Sequence, residues 1–273
     1  MTLPITTPVF IILRDLVEER VGIRYEVDDM DLFADKVSTR AEELEMTSLL
    51  DYYYHLRYDA AGSAEMQELV DALVVNETYF YREADQLTAL VDRVLPPMIA
   101  KRRPARVWCA ACSSGEEPLT LTMMLAERGM LDDVEIVATD ISARVLGRAR
   151  MARYGGRSLR SLPITAERHF DPADEQGFRR VREDLRTRVK LARANLIEPE
   201  TYPSSGSFDV IACRNVLIYF DEVTVARVVD QLAAALRPGG VLLVSASESL
   251  LRFGTALDCE ELGGAFFYRK ANE

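Results

Sequence analysis

The chain has 273 residues, enough for one large domain and a smaller one, and its 48% hydrophobic and 28% charged content argues against disorder as the dominant state. A formal net charge of −11 argues against wholesale nucleic-acid binding, which needs a basic surface, while leaving room for a local basic patch. Met1 to Phe10 lacks the basic start of a secretory signal, Val9 to Leu13 is too short to span a bilayer, and Cys109, Cys112, Cys213 and Cys259 suit a reducing compartment; a cytoplasmic protein, not membrane-inserted, is expected.

The first hundred residues read as helix. Phe10, Leu13, Leu16 and Val17 recur at helical spacing before Gly22, which reads as a stop. Asp31 to Met46 repeats the pattern with Leu32, Phe33, Val37 and Leu44, and a third helix starts near Ser48. A fourth spans Ser63 to Leu73, with Ser63 as its N-cap. Ala84 to Ala100 reads as a connecting helix perturbed near Pro96 and Pro97.

After Pro104 the pattern changes. Arg106 to Ala111, Val134 to Thr139, Arg188 to Arg193, Phe208 to Cys213 and Val241 to Ala246 read as buried strands, with Phe266 to Arg269 as a final one. Helices at Pro118 to Arg128, Ser142 to Arg153 and Val223 to Leu236 alternate with them; the last is stopped by Pro238-Gly239-Gly240. This alternation predicts a parallel sheet covered on both faces. Leu162 to Arg188 breaks it: polar and arginine-rich, it reads as an inserted subdomain with a small strand at Phe178 to Val181. The expected domains are a helical one over 1–83, a linker helix over 84–104, and a sheet domain over 105–273 with a small antiparallel β insert about 162–190.

A doubly wound sheet binds ligands at the carboxyl ends of its strands. Ala110 to Glu117 lies at such an end and is rich in small residues. A dinucleotide would set its pyrophosphate at the following helix N-terminus. That position holds Glu116 and Glu117, which repel phosphate, and Gly115 stands alone in place of a G-x-G-x-x-G fingerprint. S-adenosylmethionine has no phosphate; its ammonium and sulfonium are cations that acidic residues favour. Asp140, ending the second strand, is placed to accept from ribose hydroxyls, and so indicates an adenosine ligand. The bland alternatives are helix capping for Asp140 and dipole compensation for the glutamates.

Four segments together resemble the CheR-type chemotaxis receptor methyltransferases: Asn76-Glu77-Thr78-Tyr79-Phe80-Tyr81-Arg82-Glu83, Ala111-Cys112-Ser113-Ser114-Gly115-Glu116-Glu117-Pro118, Asn195-Leu196, and Cys213-Arg214-Asn215-Val216-Leu217-Ile218-Tyr219-Phe220. The resemblance implies a Rossmann-like α/β fold that binds S-adenosylmethionine, with an all-helical N-terminal domain and a three-stranded insert. It implies formation of glutamyl methyl esters on the cytoplasmic region of bacterial chemoreceptors, with S-adenosylhomocysteine as product. It further implies that Asn76, Thr78 and Arg82 contact the cofactor from outside the sheet domain, that Glu117 binds its methionine part and Asp140 its ribose, and that Asn195 and Leu196 flank its adenine. Gly115, Arg214 and Asn215 lie at the cofactor, and Arg82 and Tyr219 stand beside the transferred methyl. A glutamate carboxylate is already a nucleophile at neutral pH, so these two are expected to orient it and to move no proton.

The sequence also departs from the family. Tyr81 stands where phenylalanine is usual. The second helix, often arginine-rich in the family, has only Lys36 and Arg40 against Asp31, Asp35, Glu42, Glu43 and Glu45. The turn Asp171 to Gly177 is shorter than in relatives that dock on a receptor's C-terminal pentapeptide, so no such tether is expected. Arg179, Arg180, Arg182, Arg186 and Arg188 remain a candidate docking patch. A monomer without bound nucleic acid or metal is expected. Alternatives are a catalytically weak cofactor-binding scaffold, a methyltransferase of a non-receptor substrate, and a redox pair at Cys109 and Cys112.

Overall fold

The computed structural model describes residues 3–204 and 207–272; residues 1, 2, 205, 206 and 273 of the expected domains lie outside it. The chain forms two compact units, Met1–Val75 with Tyr219–Asp221, and Asn76–Ile218 with Glu222–Glu273. The division thus falls ahead of the Asn76–Glu83 segment, which folds with the sheet and not with the helical domain expected over 1–83.

The first unit holds α1 (Thr7–Val21), α2 (Met30–Glu43), α3 (Leu49–Tyr58) and α4 (Gly62–Leu73). Pro8 sits in the first turn of α1, where its missing N–H costs nothing, and Gly22 ends it with φ 77°, donating to Glu18 O. Ser48 caps α3 by accepting from Asp51 N. Ser63 is not a cap: α4 begins one residue earlier, at Gly62. A Cβ on Gly62 would lie 2.4 Å from His55 O, so only glycine allows this close turn. Phe10, Phe33 and Tyr25 pack edge to face at 5.5 and 4.9 Å and form the centre of the unit. Tyr219–Asp221 joins this unit through an Ile23–Phe220 bridge.

The second unit opens with α5 (Ala84–Ala89), a π-helical turn (Leu90–Val94) and α6 (Leu95–Lys101). The expected perturbation therefore lies just before the prolines. Pro96 and Pro97 cannot donate to the carbonyls four residues back, and the helix widens there by one residue per turn. The sheet and its helices follow as β1 (Ala105–Ala110), α7 (Glu116–Glu127), β2 (Val134–Asp140), α8 (Ala143–Met151), β3 (Arg153–Tyr154), α9 (Gly156–Leu159), β4 (Arg179–Arg180), α10 (Glu183–Arg186), β5 (Val189–Arg193), β6 (Phe208–Cys213), α11 (Glu222–Ala235), β7 (Leu236–Leu243), β8 (Asp258–Leu262) and β9 (Ala265–Arg269).

Seven strands form one sheet in the order β5-β2-β1-β6-β7-β9-β8. The first five are parallel; β9 runs antiparallel to β7 and β8 to β9. The strand order reverses between β1 and β6, so the loops leaving those two strands diverge and open a crevice at their carboxyl ends. Trp108 is fully buried, and its indole N–H donates to Thr139 Oγ1 at 2.9 Å, tying β1 to β2. Four features differ from the sequence reading. The strand β7 starts at Leu236 and passes through Pro238-Gly239-Gly240 at a register shift against β6, and the charged edge strand β8 was not foreseen. The insert begins at β3, ahead of residue 162. It is a two-stranded β3–β4 ladder with one further bridge, Phe170–Val181, in place of the three strands the resemblance implied.

Candidate active site

The loop after β1 is curled by three residues with positive φ: Ala111 (58°), Ser113 (50°) and Gly115 (93°). A Cβ on Gly115 would meet Ala149 Cβ at 3.0 Å and the Tyr154 hydroxyl at 3.3 Å. Tyr154 Oη donates to Ser114 O at 2.7 Å, so the insert braces the loop from below. Asp140 fixes the loop from the neighbouring strand. Its carboxylate accepts from Ser113 N at 2.8 Å and Ser142 N at 2.9 Å. The cap of α8 is Ser142, which accepts from Val145 N; Asp140 instead shapes the crevice.

The two glutamates that open α7 have different surroundings. Glu116 is buried and accepts from Ser114 Oγ and Ser158 Oγ, both at 2.8 Å. Burial raises its carboxyl pKa above the usual range, and the two serines only partly offset this. Glu117 meets Arg214 Nη1 at 2.7 Å. The guanidinium of Arg214 also donates to Gln86 Oε1 at 2.9 Å and to the carbonyl of Arg82 at 2.9 Å, and lies 3.4 Å from Glu83 Oε2. One buried arginine thus joins β6, α7, α5 and the Asn76–Glu83 segment.

That segment is held on the sheet unit at both ends. Asn76 O accepts from Ser113 Oγ at 3.2 Å, Phe80 N donates to Ser158 O at 3.0 Å, and Tyr81 N donates to Thr120 Oγ1 at 3.1 Å. Phe80 is fully buried, edge-on to Tyr154 and Phe170. Tyr81 and Glu83 take left-handed backbone angles, φ 61° and 48°. Arg82 donates Nη1 to Glu77 O at 2.8 Å, and its side chain stays partly exposed. Thr78 is half-buried.

Two carboxylates missed by sequence reasoning clamp the turn after β6. Glu83 Oε1 accepts from Asn215 Nδ2 at 3.0 Å and Oε2 from Ala246 N at 3.1 Å. Burial acts to raise the Glu83 pKa, but Asn215, the Ala246 N–H, Arg214 and Arg82 outweigh it and leave it lowered. Glu248 accepts from Asn215 N at 2.8 Å, Ile218 N at 3.3 Å, Ser245 N at 3.1 Å and Ser245 Oγ at 2.6 Å. Asn215, at φ 59°, is held on both backbone and side chain. The usable signal for Glu248 was its place in a polar run just past a strand's carboxyl end.

At the end of β5, Asn195 and Leu196 are both buried. Asn195 Oδ1 accepts from Ile197 N at 3.3 Å, and Leu196 O accepts from the Tyr202 hydroxyl at 2.7 Å. The structure therefore places Gly115, Glu117, Asp140, Asn195, Leu196, Arg214 and Asn215 at the carboxyl ends of the strands, with Asn76, Thr78 and Arg82 on the segment fastened there. Tyr219 belongs to the other unit: it closes the turn Leu217–Tyr219, and its carbonyl accepts from Arg24 N at 3.0 Å. The proposed redox pair does not match its surroundings. Burial pushes the Cys109 and Cys112 thiols well above their ordinary range, with Glu117 beside the first and Asp140 beside the second adding to the effect.

The crevice suits a nucleoside with a cationic tail. Its conspicuous side chains are carboxylates and an amide, and its buried guanidinium is already spent on protein acceptors. A pyrophosphate would meet Glu116 and Glu117 at the helix start. The comparisons agree with this chemistry. Residues 76–263 match the family model described as CheR methyltransferase, SAM binding domain, and residues 9–74 match that for the CheR methyltransferase all-alpha domain. A protein named chemotaxis protein methyltransferase 2 from Vibrio cholerae is 34% identical over 98% of this chain and 95% of its own length. Chemotaxis protein methyltransferase 1 of the same organism is 42% identical over 66% of this chain and 67% of its own. A chemotaxis protein methyltransferase of Vibrio parahaemolyticus is 36% identical over 85% of this chain and 86% of its own.

Proposed function

The chain belongs to the CheR methyltransferase family, and we propose that it converts glutamate side chains on the cytoplasmic region of chemoreceptors to methyl esters. Its cofactor is S-adenosylmethionine, which when bound supplies an electrophilic methyl on a sulfonium. The observation that carries the reading is the fastening of the Arg82 segment onto the crevice, through Asn76 O to Ser113 and through Arg82 O to Arg214.

The residues divide the work as follows. Asp140 accepts from the ribose hydroxyls, Glu117 offers a counter-charge to the ammonium, and Asn195 and Leu196 border the adenine. Asn76, Thr78 and Gly115 contact the cofactor through the segment and the loop that hold it, and Arg214 and Asn215 keep both in register. The incoming glutamate, with a reference pKa near ~4.3, is ionised at neutral pH and needs no base. Neither histidine is required: His55 meets Asp59 at 2.9 Å and His169 meets Glu127 at 3.0 Å. Arg82, whose Nη1 donates to Glu77 O and whose Nε lies 4.0 Å from Glu83 Oε1, and Tyr219 are assigned the alignment of the attacking oxygen, with no proton transferred. The enzyme acts as a cytoplasmic monomer without a pentapeptide tether, since the Asp171–Gly177 turn is short and stapled by Asp174, which accepts from Gln176 N and Phe178 N and meets Arg153 Nε at 2.6 Å.

The test has two readings. Titration calorimetry with S-adenosylhomocysteine should give micromolar binding that Asp140→Ala abolishes, with circular dichroism checking that the loop variant stays folded. Receptor-containing membranes should then take up labelled methyl that mild base releases as methanol. Binding without such label would rule out receptor glutamates as the substrate.

A further inference from the structure

The chain is acidic overall, yet from residue 141 to residue 166 it contains six arginines and no aspartate, glutamate or lysine. The helix α8 explains how they are displayed. It buries Val145, Leu146 and Ala149 and leaves Arg144, Arg148 and Arg150 exposed. Arg157, on the next short helix, is exposed as well. Two of the six are spent inside the fold. Arg153 meets Asp174, and Arg160 meets Glu77 at 2.6 Å while its guanidinium covers the Tyr79 ring at 3.7 Å. Arg148, Arg150 and Arg157 have no carboxylate partner among the described residues. The arginines of the insert are different. Arg179 meets Glu167 at 3.6 Å, Arg182 meets Asp184 at 3.1 Å, Arg186 meets Glu183 at 3.3 Å and Arg188 meets Asp132 at 2.8 Å, so the patch expected there is largely neutralised.

The uncompensated stretch is tied to the crevice at both ends. Its first helix starts directly after Asp140 and Ser142. Arg157 flanks Ser158, whose carbonyl accepts from Phe80 N and whose hydroxyl donates to Glu116. Met151 and Ile164, 56% and 85% exposed, lie in the same stretch of chain.

We propose that the cationic stretch carrying Arg148, Arg150 and Arg157 is where the substrate protein's glutamate-bearing segment docks, an inference that rests on the methyl-ester reading above. A segment that presents glutamate is anionic at neutral pH, and a body of net charge −11 repels it. A local cationic field beside the crevice reverses that repulsion where it matters for encounter. Exposed aliphatic side chains among arginines fit an amphipathic protein segment. Single-stranded nucleic acid would want open aromatic platforms, whereas Tyr79 lies under Arg160, and Phe178 under Arg153 at 4.0 Å.

The experiment uses the full chain and a labelled synthetic helical peptide of about 25 residues with glutamates at i, i+3 and i+4 spacing. Fluorescence anisotropy should show binding that weakens as salt rises from about 50 to about 300 mM. The triple variant Arg148→Glu, Arg150→Glu, Arg157→Glu should bind about tenfold more weakly at low salt and lose the salt dependence. Its affinity for S-adenosylhomocysteine should stay unchanged, which checks the fold. The pair Arg182→Glu, Arg186→Glu should bind the peptide as the wild type does. Equal binding by the triple variant would overturn the proposal, as would an equal loss in the control pair, or tighter wild-type binding of an RNA oligonucleotide of matched charge. Failure of the methyl-ester reading shows elsewhere, as absent label on receptor membranes, and needs no peptide.

Discussion

Arg214 Nη1 lies 2.7 Å from Glu117 Oε2, with 1% of the arginine side chain exposed. The guanidinium has no solvent to fall back on, while Glu117 keeps 16% of its side chain exposed. The guanidinium is also committed to Gln86 Oε1 and the Arg82 carbonyl, so removing it strands three acceptors at once. A buried ion pair adds little over apolar packing, but losing one partner is costly. Arg214→Ala is expected to lower unfolding free energy by about 3–5 kcal/mol in urea denaturation. Arg214→Lys should lose most of that too, because an ammonium cannot match the fork. A change in either variant below about 1 kcal/mol would contradict the network as described.

Two tyrosines packed around α7 make opposite predictions. Tyr81 has a buried hydroxyl with no hydrogen-bond partner among the described residues, and burial pushes its pKa up to about 12. Tyr81→Phe removes an unsatisfied polar atom and should leave stability unchanged or raise it by about 1 kcal/mol. Tyr154→Phe removes the donor that holds Ser114 O. It should cost about 1–2 kcal/mol and weaken S-adenosylhomocysteine binding, because the loop it braces runs straight into Gly115. Thermal melts and calorimetry on the two variants would read both effects; equal behaviour would show that the brace does not matter.

Much of this was legible in the sequence, for a physical reason. The strands β1, β2 and β6 are buried on both faces, so they read as unbroken apolar runs, and their ends carry the loop and Asp140. The edge strand β8, Asp258–Leu262, carries the charges that guard an edge against pairing, and such a strand has no apolar alternation to find. Gly62 looked like a residue before a capped helix, but its role depends on the carbonyl of His55, which only the fold supplies. The clamping role of Glu83 went unread for a related reason, although Asn215 itself was expected at the site. Glu83 and Asn215 are 132 residues apart, and nothing in the local pattern of either announces the other.

Gly115 provides a third test. Its φ of 93° is strained for any side chain, and an alanine Cβ would sit 3.0 Å from Ala149 Cβ, on a packed helix that cannot swing aside. Gly115→Ala should lower the melting temperature by several degrees, corresponding to about 1–3 kcal/mol. It should weaken S-adenosylhomocysteine binding by more than the Tyr154→Phe change, since it moves the loop backbone itself. Gly129→Ala, also at positive φ but with open space around it, should show only the backbone strain and normal cofactor affinity.

Glu83 and Glu116 give opposite pH signatures. The folded pKa of Glu83 is depressed, so its contribution to stability is present above the unfolded value of about 4.3 and is lost as pH falls through the folded value. Glu83→Gln should therefore be less stable than wild type at pH 7, with the gap closing below about pH 4. Glu116 is raised by burial, so its ionised form opposes folding at neutral pH and that penalty fades as the group protonates. Glu116→Gln should match or exceed wild-type stability at pH 7, because its amide oxygen can accept from one of Ser114 and Ser158 and its NH2 can donate to the other hydroxyl, without a buried charge. Its advantage should shrink as pH falls through the raised pKa and vanish below the unfolded value. Urea midpoints measured from pH 7 down to about pH 3.5 would separate the two; parallel curves for both variants would mean that neither carboxyl is shifted by its surroundings.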